Sequence, residues 1–126
     1  MIQILLFNPD RFKLGRLQVI FVRLGLKWKI VPPEDFSASI GSLLGLPVSS
    51  EKSPAAPFSE EMMLMHALDS RAMNTLLESM RRQKLSVSLK AVATPDNISW
   101  TPAKLYAELS AERAAFAAGK SIHQKT

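Results

Sequence analysis

An order of elements recurs in this chain at an offset of 59 residues, and that recurrence limits the fold more than any other feature. Residues 2–31 and 61–90 each open on a short apolar run, Ile2-Gln3-Ile4-Leu5-Leu6-Phe7 and Met62-Met63-Leu64-Met65. Each run leads to a polar turn ending in an aspartate, Asp10 and Asp69. An amphipathic helical stretch and a second short strand follow, Trp28-Lys29-Ile30 and Val87-Ser88-Leu89. Leu5/Leu64, Asp10/Asp69, Leu17/Leu76, Arg23/Arg82 and Leu26/Leu85 are identical in this register. So few identities point to a repeated architecture, which suggests a fold but names no reaction.

Local signals set the elements. A first strand spans residues 2–7, with Asn8 or Asp10 as helix cap and Pro9 suited to a first helical position. The first helix runs from about Asp10 to Leu24, with Leu14, Leu17, Phe21 and Leu24 inward, and Gly25 stops it. The second strand is Lys27 to Val31, ended by Pro32-Pro33. A short helix is expected over Glu34 to Leu44, ended by Gly45. The second half repeats the scheme: a strand at Glu61 to Ala67, a helix at Ser70 to Lys84 and a strand at Ser86 to Ala93. A last helix starts at Thr101-Pro102 and ends at Gly119.

Strands one and three are continuously apolar and so are buried on both faces, whereas two and four alternate and are half exposed. This fits an α/β fold: a four-stranded parallel sheet in the order 2-1-3-4, built from two βαβα halves. Right-handed crossovers put the first helix on one face, helices two and three on the other, and the last helix over the first face. The halves would be related by an approximate twofold along the strands. The alternative is a ferredoxin-like antiparallel α+β sandwich in the order 4-1-3-2.

A length of 126 residues fits a single domain, and 47% hydrophobic residues suffice for one core. Its expected parts are a first half at 1–46, a Pro/Ser-rich linker at 47–60, a second half at 61–119 and a flexible tail at 120–126. There is no cysteine, which excludes disulfides, thiolate metal sites and cysteine nucleophiles. No run approaches the roughly 18 apolar residues of a membrane span, and the first residues lack the basic region of a signal peptide. The expected location is cytoplasmic, with no membrane partner. The net charge of +5 is uneven. Residues 1–33 carry +5, 34–61 carry −4 and 62–126 carry +4. A basic half of this kind attracts anionic partners or serves solubility.

Three groups of residues are candidates for function. In a parallel sheet, ligands favour the switch point between strands one and three, which would gather Asn8, Asp10, His66 and Asp69. A histidine among carboxylates could titrate near neutrality or hold a metal, although Asn8, Asp10 and Asp69 also stand where helix caps belong. The second group is Phe12, Arg16, Val19 and Arg23, on a different face of the first helix from its inward stripe, a possible contact surface. No glycine-rich phosphate loop, nucleophile elbow or histidine-rich metal spacing is present, so no catalytic residue, cofactor or metal is assigned.

The third group comes from the stretch Leu89-Lys90-Ala91-Val92-Ala93-Thr94-Pro95-Asp96-Asn97-Ile98-Ser99-Trp100-Thr101. It resembles a family of small bacterial proteins catalogued as domain of unknown function 3783. The strand and helix over Met63 to Leu85 also look like that family, as do Glu108 and Glu112, so the resemblance covers roughly residues 58–113. His66-Ala67-Leu68-Asp69 departs from a glycine-containing turn associated with the family. The resemblance implies no activity, but it directs attention to Lys90, Thr94, Asn97 and Trp100. They read as a recognition loop with Trp100 as anchor, or as turn, cap and core plug.

Three functions are therefore expected, in order. The first is a non-enzymatic interaction or regulatory module, with a protein partner or a second copy at the Phe12/Val19 face. The second is nucleic-acid binding through Arg11, Lys13, Arg16, Arg23, Lys27 and Lys29, with Trp28 for stacking. The third is a small-molecule or metal site at the switch point.

Overall fold

The apolar runs of the two halves lie side by side at the centre of a four-stranded sheet. The computed structural model describes residues 1–47 and 58–123. Along the chain these form β1 (Ile4–Phe7), α1 (Arg11–Arg23), β2 (Trp28–Val31), a 3-10 turn (Pro33–Asp35) and α2 (Ile40–Leu43). Then follow β3 (Met62–Met65), α3 (Ser70–Arg82), β4 (Leu89–Val92), a second 3-10 turn (Asn97–Ser99) and α4 (Pro102–His123). Residues 48–57 of the expected linker and 124–126 of the expected tail lie outside the described residues. α4 runs through Gly119 rather than ending there. The single helix expected over 34–44 is instead a 3-10 turn and α2, because the Ser39 hydroxyl accepts the Ser42 N–H and starts a new helix.

The strand order is β2-β1-β3-β4, as expected, but the sheet is mixed. β1 pairs parallel with β2, and β3 parallel with β4, while β1 and β3 run antiparallel with Leu5 opposite Leu64. The all-parallel expectation is thus corrected at the central pair, and the ferredoxin-like alternative fails at both outer pairs. β1 and β3 are apolar on both faces, so their side-chain pattern does not fix the direction in which they pair. β3 starts at the end of the sheet where β2 finishes, with Met62 opposite Phe7.

Reversing β3 moves the helices. α1 and α3 now share one face, where Leu17, Ile20 and Phe21 meet Leu76 and Met80 over Ile4, Leu6, Met63 and Met65. α2 and α4 share the other, where Ile40, Leu43 and Leu105 pack on Leu5, Phe7, Met62 and Leu64. The expected twofold along the strands is replaced by an approximate axis normal to the sheet, between Leu5 and Leu64. β1 and β3 are buried along their whole length, as apolar runs covered on both faces must be.

The two helical turns on the α1/α3 face close alike. After α1, Gly25 takes a left-handed φ of 69° and the Leu26 N–H reaches the Phe21 carbonyl at 2.8 Å. After α3, Lys84 takes a φ of 56° and the Leu85 N–H reaches the Met80 carbonyl at 2.8 Å. Each is a Schellman closure, with Leu26 and Leu85 buried against the helix they end.

Candidate functional site

The antiparallel central pair separates the switch-point residues. Asn8 follows the end of β1 at Met62, whereas His66 follows the end of β3 at Ile4, so Asn8 and Asp10 sit at one end of the sheet and His66 and Asp69 at the other. The four residues do not form one crevice. Asn8 holds a left-handed φ of 52° and donates from Nδ2 to the carbonyls of Phe58 at 2.8 Å and Glu60 at 3.2 Å, tying the start of the second half to the end of β1. Asp10 and Asp69 cap α1 and α3. The His66 N–H donates to the Gln3 carbonyl at 2.8 Å, and its side chain is half-buried. Among the described residues, no group of three or more histidines or carboxylates is placed to hold a metal ion.

The loop after β4 is a closed hydrogen-bonded turn. Asn97, 7% exposed, accepts the Thr94 N–H on Oδ1 at 2.9 Å and donates from Nδ2 to the Val92 carbonyl at 3.0 Å. Its own N–H reaches Thr94 Oγ1 at 3.1 Å. Trp100 packs partly buried against the α2/α4 core, its carbonyl accepts the Ile40 N–H at 2.8 Å, and Lys104 Nζ lies 5.0 Å from its ring centre. Thr101 then caps α4. Three of the four loop residues are thereby engaged in shaping and seating the turn. Lys90 points out of β4 beside Leu77, Met80, Arg81 and Leu85.

The outer face of α1 is different in kind. Phe12, Gly15, Val19 and Val22 recur at intervals of three and four residues and make one stripe along the helix. Phe12 is 92% exposed, Val22 65% and Val19 48%. Gly15, Gln18, Val19, Val22 and Arg23 of the helix and Trp28 of β2 line an open groove of about 470 Å³. Trp28 is steadied there by Phe21, whose ring centre is 5.6 Å away. Gly15 is exposed there, and a Cβ at that position would meet nothing within 4 Å.

α3 is the internal control for this face. It has the same length as α1 and shares its side of the sheet. At the offset of 59, the positions matching Phe12, Gly15, Val19 and Val22 are Arg71, Asn74, Glu78 and Arg81. Glu78 and Arg81 form an ion pair at 2.7 Å. Their mutual hydrogen bonds hold the Glu78 carboxyl below its usual pKa and the Arg81 guanidinium above its own. One helix is finished for water; its counterpart presents apolar side chains at the same places.

The charges around the stripe divide into used and unused. Lys13 Nζ binds Glu61 at 2.8 Å and the Ser86 carbonyl at 2.7 Å. Arg16 donates to the Gln83 carbonyl at 2.9 Å and so faces α3 rather than the groove. Among the described residues, Arg11, Arg23, Lys27 and Lys29 have no carboxylate partner. The sequence marks Phe12, Val19 and Arg23 as parts of this surface but not Gly15, Gln18, Val22 or Trp28. The spacing of Val22 from Phe12 and Val19 was the available signal.

Comparison with known proteins bears on the second half. Over residues 61–116 the chain matches the family described as Domain of unknown function (DUF3783). The resemblance seen around Lys90–Trp100 therefore holds, and the DUF3783 match takes in β3, α3, β4, the Asn97 turn and α4 as far as Phe116. α1 and its groove lie outside the matched residues. No curated protein matches the chain, and no solved structure does. Among the described residues, no helix is long and apolar enough to cross a membrane.

Proposed function

We propose that this protein is a non-enzymatic interaction module whose docking surface is the outer face of α1, and that the surface takes an amphipathic helix flanked by carboxylates. The observation that carries the reading is the contrast with α3. Where α3 has Arg71, Asn74, Glu78 and Arg81, α1 has Phe12, Gly15, Val19 and Val22, exposed on the same side of the sheet. Burying apolar surface of that kind is worth about 25 cal/mol per Å², which favours occupation over exposure. Arg11 and Arg23, without carboxylate partners among the described residues, supply the complement for acidic flanks. A helix seated over Gly15 can approach closely, as small residues at helix contacts permit.

The correspondence at offset 59 further supports two copies of one structural unit, of which only the first developed a binding face. Nucleic-acid binding is less well supported, because Lys13 and Arg16 are engaged within the protein.

The test is photo-cross-linking from a reactive residue at Val19 in the cell of origin, with Asn74 of α3 as the matched control. A discrete adduct from position 19, absent from position 74 and weakened by Arg23→Glu, is expected. Indistinguishable adduct patterns from the two positions would refute the reading.

A further inference from the structure

We propose that the occupant of the α1 groove is the stretch of α4 from Glu108 to Ala117 of a second copy of this chain, so that two copies exchange α4 arms. The inference rests on the reading of α1 as a docking face and adds the identity of what docks.

The two halves differ most in their final helices. α2 has four residues and is followed by Gly45 at a φ of 82°, whereas α4 has 22. At 1.5 Å per residue, α4 is about 33 Å long. Among the described residues, its apolar contacts with the body lie in the first turns, and one ion pair lies beyond them. Leu105 is buried, Tyr106 and Leu109 pack beside it, and Arg113 pairs with Glu60 at 2.7 Å. Every residue from 111 to 117 is exposed, and Phe116 is 72% exposed. An exposed helical segment tied to the body by one ion pair has little stability of its own and gains it from packing.

The arm has the chemistry the groove asks for. Phe116 stands among Ala111, Ala114, Ala115 and Ala117, an apolar side chain on a helix narrow enough for close approach. Glu108 and Glu112 lie one turn apart on the same arm and, among the described residues, have no cationic partner. Arg23 lines the groove and, among the described residues, has no carboxylate partner. Phe116 and Glu112 of the arm complement the apolar stripe and Arg23 of the groove between copies. α4 packs on the opposite face of the sheet from α1, so a copy does not cover its own groove. Reciprocal exchange about a twofold makes two such contacts and closes the assembly at a dimer.

The experiment is sedimentation of the full-length chain from nanomolar to high micromolar concentration at low salt. The parent is expected to dimerise. Val19→Glu in the groove and Phe116→Asp in the arm should each raise the dissociation constant about tenfold or more. Both positions are exposed, and unchanged thermal melts will establish that the variants fold. Mixing the two variants is the decisive arm. In a mixed dimer one contact joins an intact groove to an intact arm, so the mixture should associate more tightly than either variant alone. The reciprocal swap Arg23→Glu with Glu112→Arg should recover association lost in each single variant. A parent that stays monomeric overturns the exchange while leaving the α1 face open to another protein, which the Val19 adduct would then contain. A dimer insensitive to either variant, or one not recovered on mixing, also overturns it.

Discussion

The Asp10 carboxylate accepts the Phe12 N–H at 2.7 Å, and the Asp69 carboxylate accepts the Ala72 N–H at the same distance. These aspartates occupy corresponding places at the two ends of the sheet, each starting a helix of 13 residues. Asp10→Ala and Asp69→Ala should each cost about 1 kcal/mol, the usual value of such a cap. Because the sites share no partner, the double variant should lose about 2 kcal/mol. Urea unfolding with an unchanged m-value checks both statements. A double variant no weaker than a single one would contradict them.

Lys84 carries a backbone conformation suited to glycine. Its φ of 56° matches the 69° of Gly25 at the corresponding closure of α1. A side chain in the left-handed region is strained by about 1–2 kcal/mol, and glycine's greater unfolded freedom returns part of that. Lys84→Gly should therefore stabilise the protein by about 0.5–1 kcal/mol, and Gly25→Ala should destabilise it by about the same amount. Opposite displacements of the thermal midpoint are the expected result.

Asn97 holds the turn between β4 and α4 through its side chain. Asn97→Ala leaves the Thr94 N–H and the Val92 carbonyl without their partner, at about 1–3 kcal/mol. Hydrogen exchange at Thr94 should accelerate in the variant, while that of the Leu5 amide at the sheet centre keeps pace with global unfolding alone.

Glu60 is tuned by the arm that α4 extends. Arg113 donates to its two carboxylate oxygens at 2.7 and 3.0 Å, and the Tyr106 hydroxyl lies 3.2 Å from one of them. These hydrogen bonds, Arg113 foremost, hold the carboxyl below its usual pKa against partial desolvation. A carboxyl depressed on folding stabilises above its unfolded pKa, and the benefit is lost as pH falls through the folded value. Carbon-detected titration should show the Glu60 midpoint rising in Arg113→Gln. The stability difference between parent and variant should shrink as the solution is acidified past that midpoint.

Gly15 joins stability to docking. Gly15→Ala meets no atom within 4 Å and replaces a poor helix former with a good one, for a gain of about 0.5–1 kcal/mol. The added methyl also projects into the groove that Gly15 lines, so association through α1 should weaken as the melting temperature rises. A variant that gains stability and keeps full association would show that Gly15 is not part of the contact.

Much of this molecule was legible residue by residue. The caps Asp10 and Asp69, the stop at Gly25, the inward stripe of Leu14, Leu17, Phe21 and Leu24 and the central place of both apolar runs follow from local chemistry. Phe12 and Val19 stood out because apolar residues off the inward face of a helix are conspicuous. The Lys84 closure was not visible, since lysine gives no signal for a left-handed turn. Nor was the contrast between α1 and α3, which acquires meaning only when the two helices are seen on one face.

By itself the sequence determined the four strands, the starts of α1, α3 and α4, and which two strands are buried on both sides. Those properties depend on neighbours a few residues apart. Only the tertiary structure decided the direction of β3. Met62-Met63-Leu64-Met65 is apolar on both faces, so its side-chain pattern reads the same whichever way the strand runs. With β3 reversed, α1 and α3 came to share a face, Asn8 and Asp10 parted from His66 and Asp69, and the α1 groove was set on the side of the sheet away from α4.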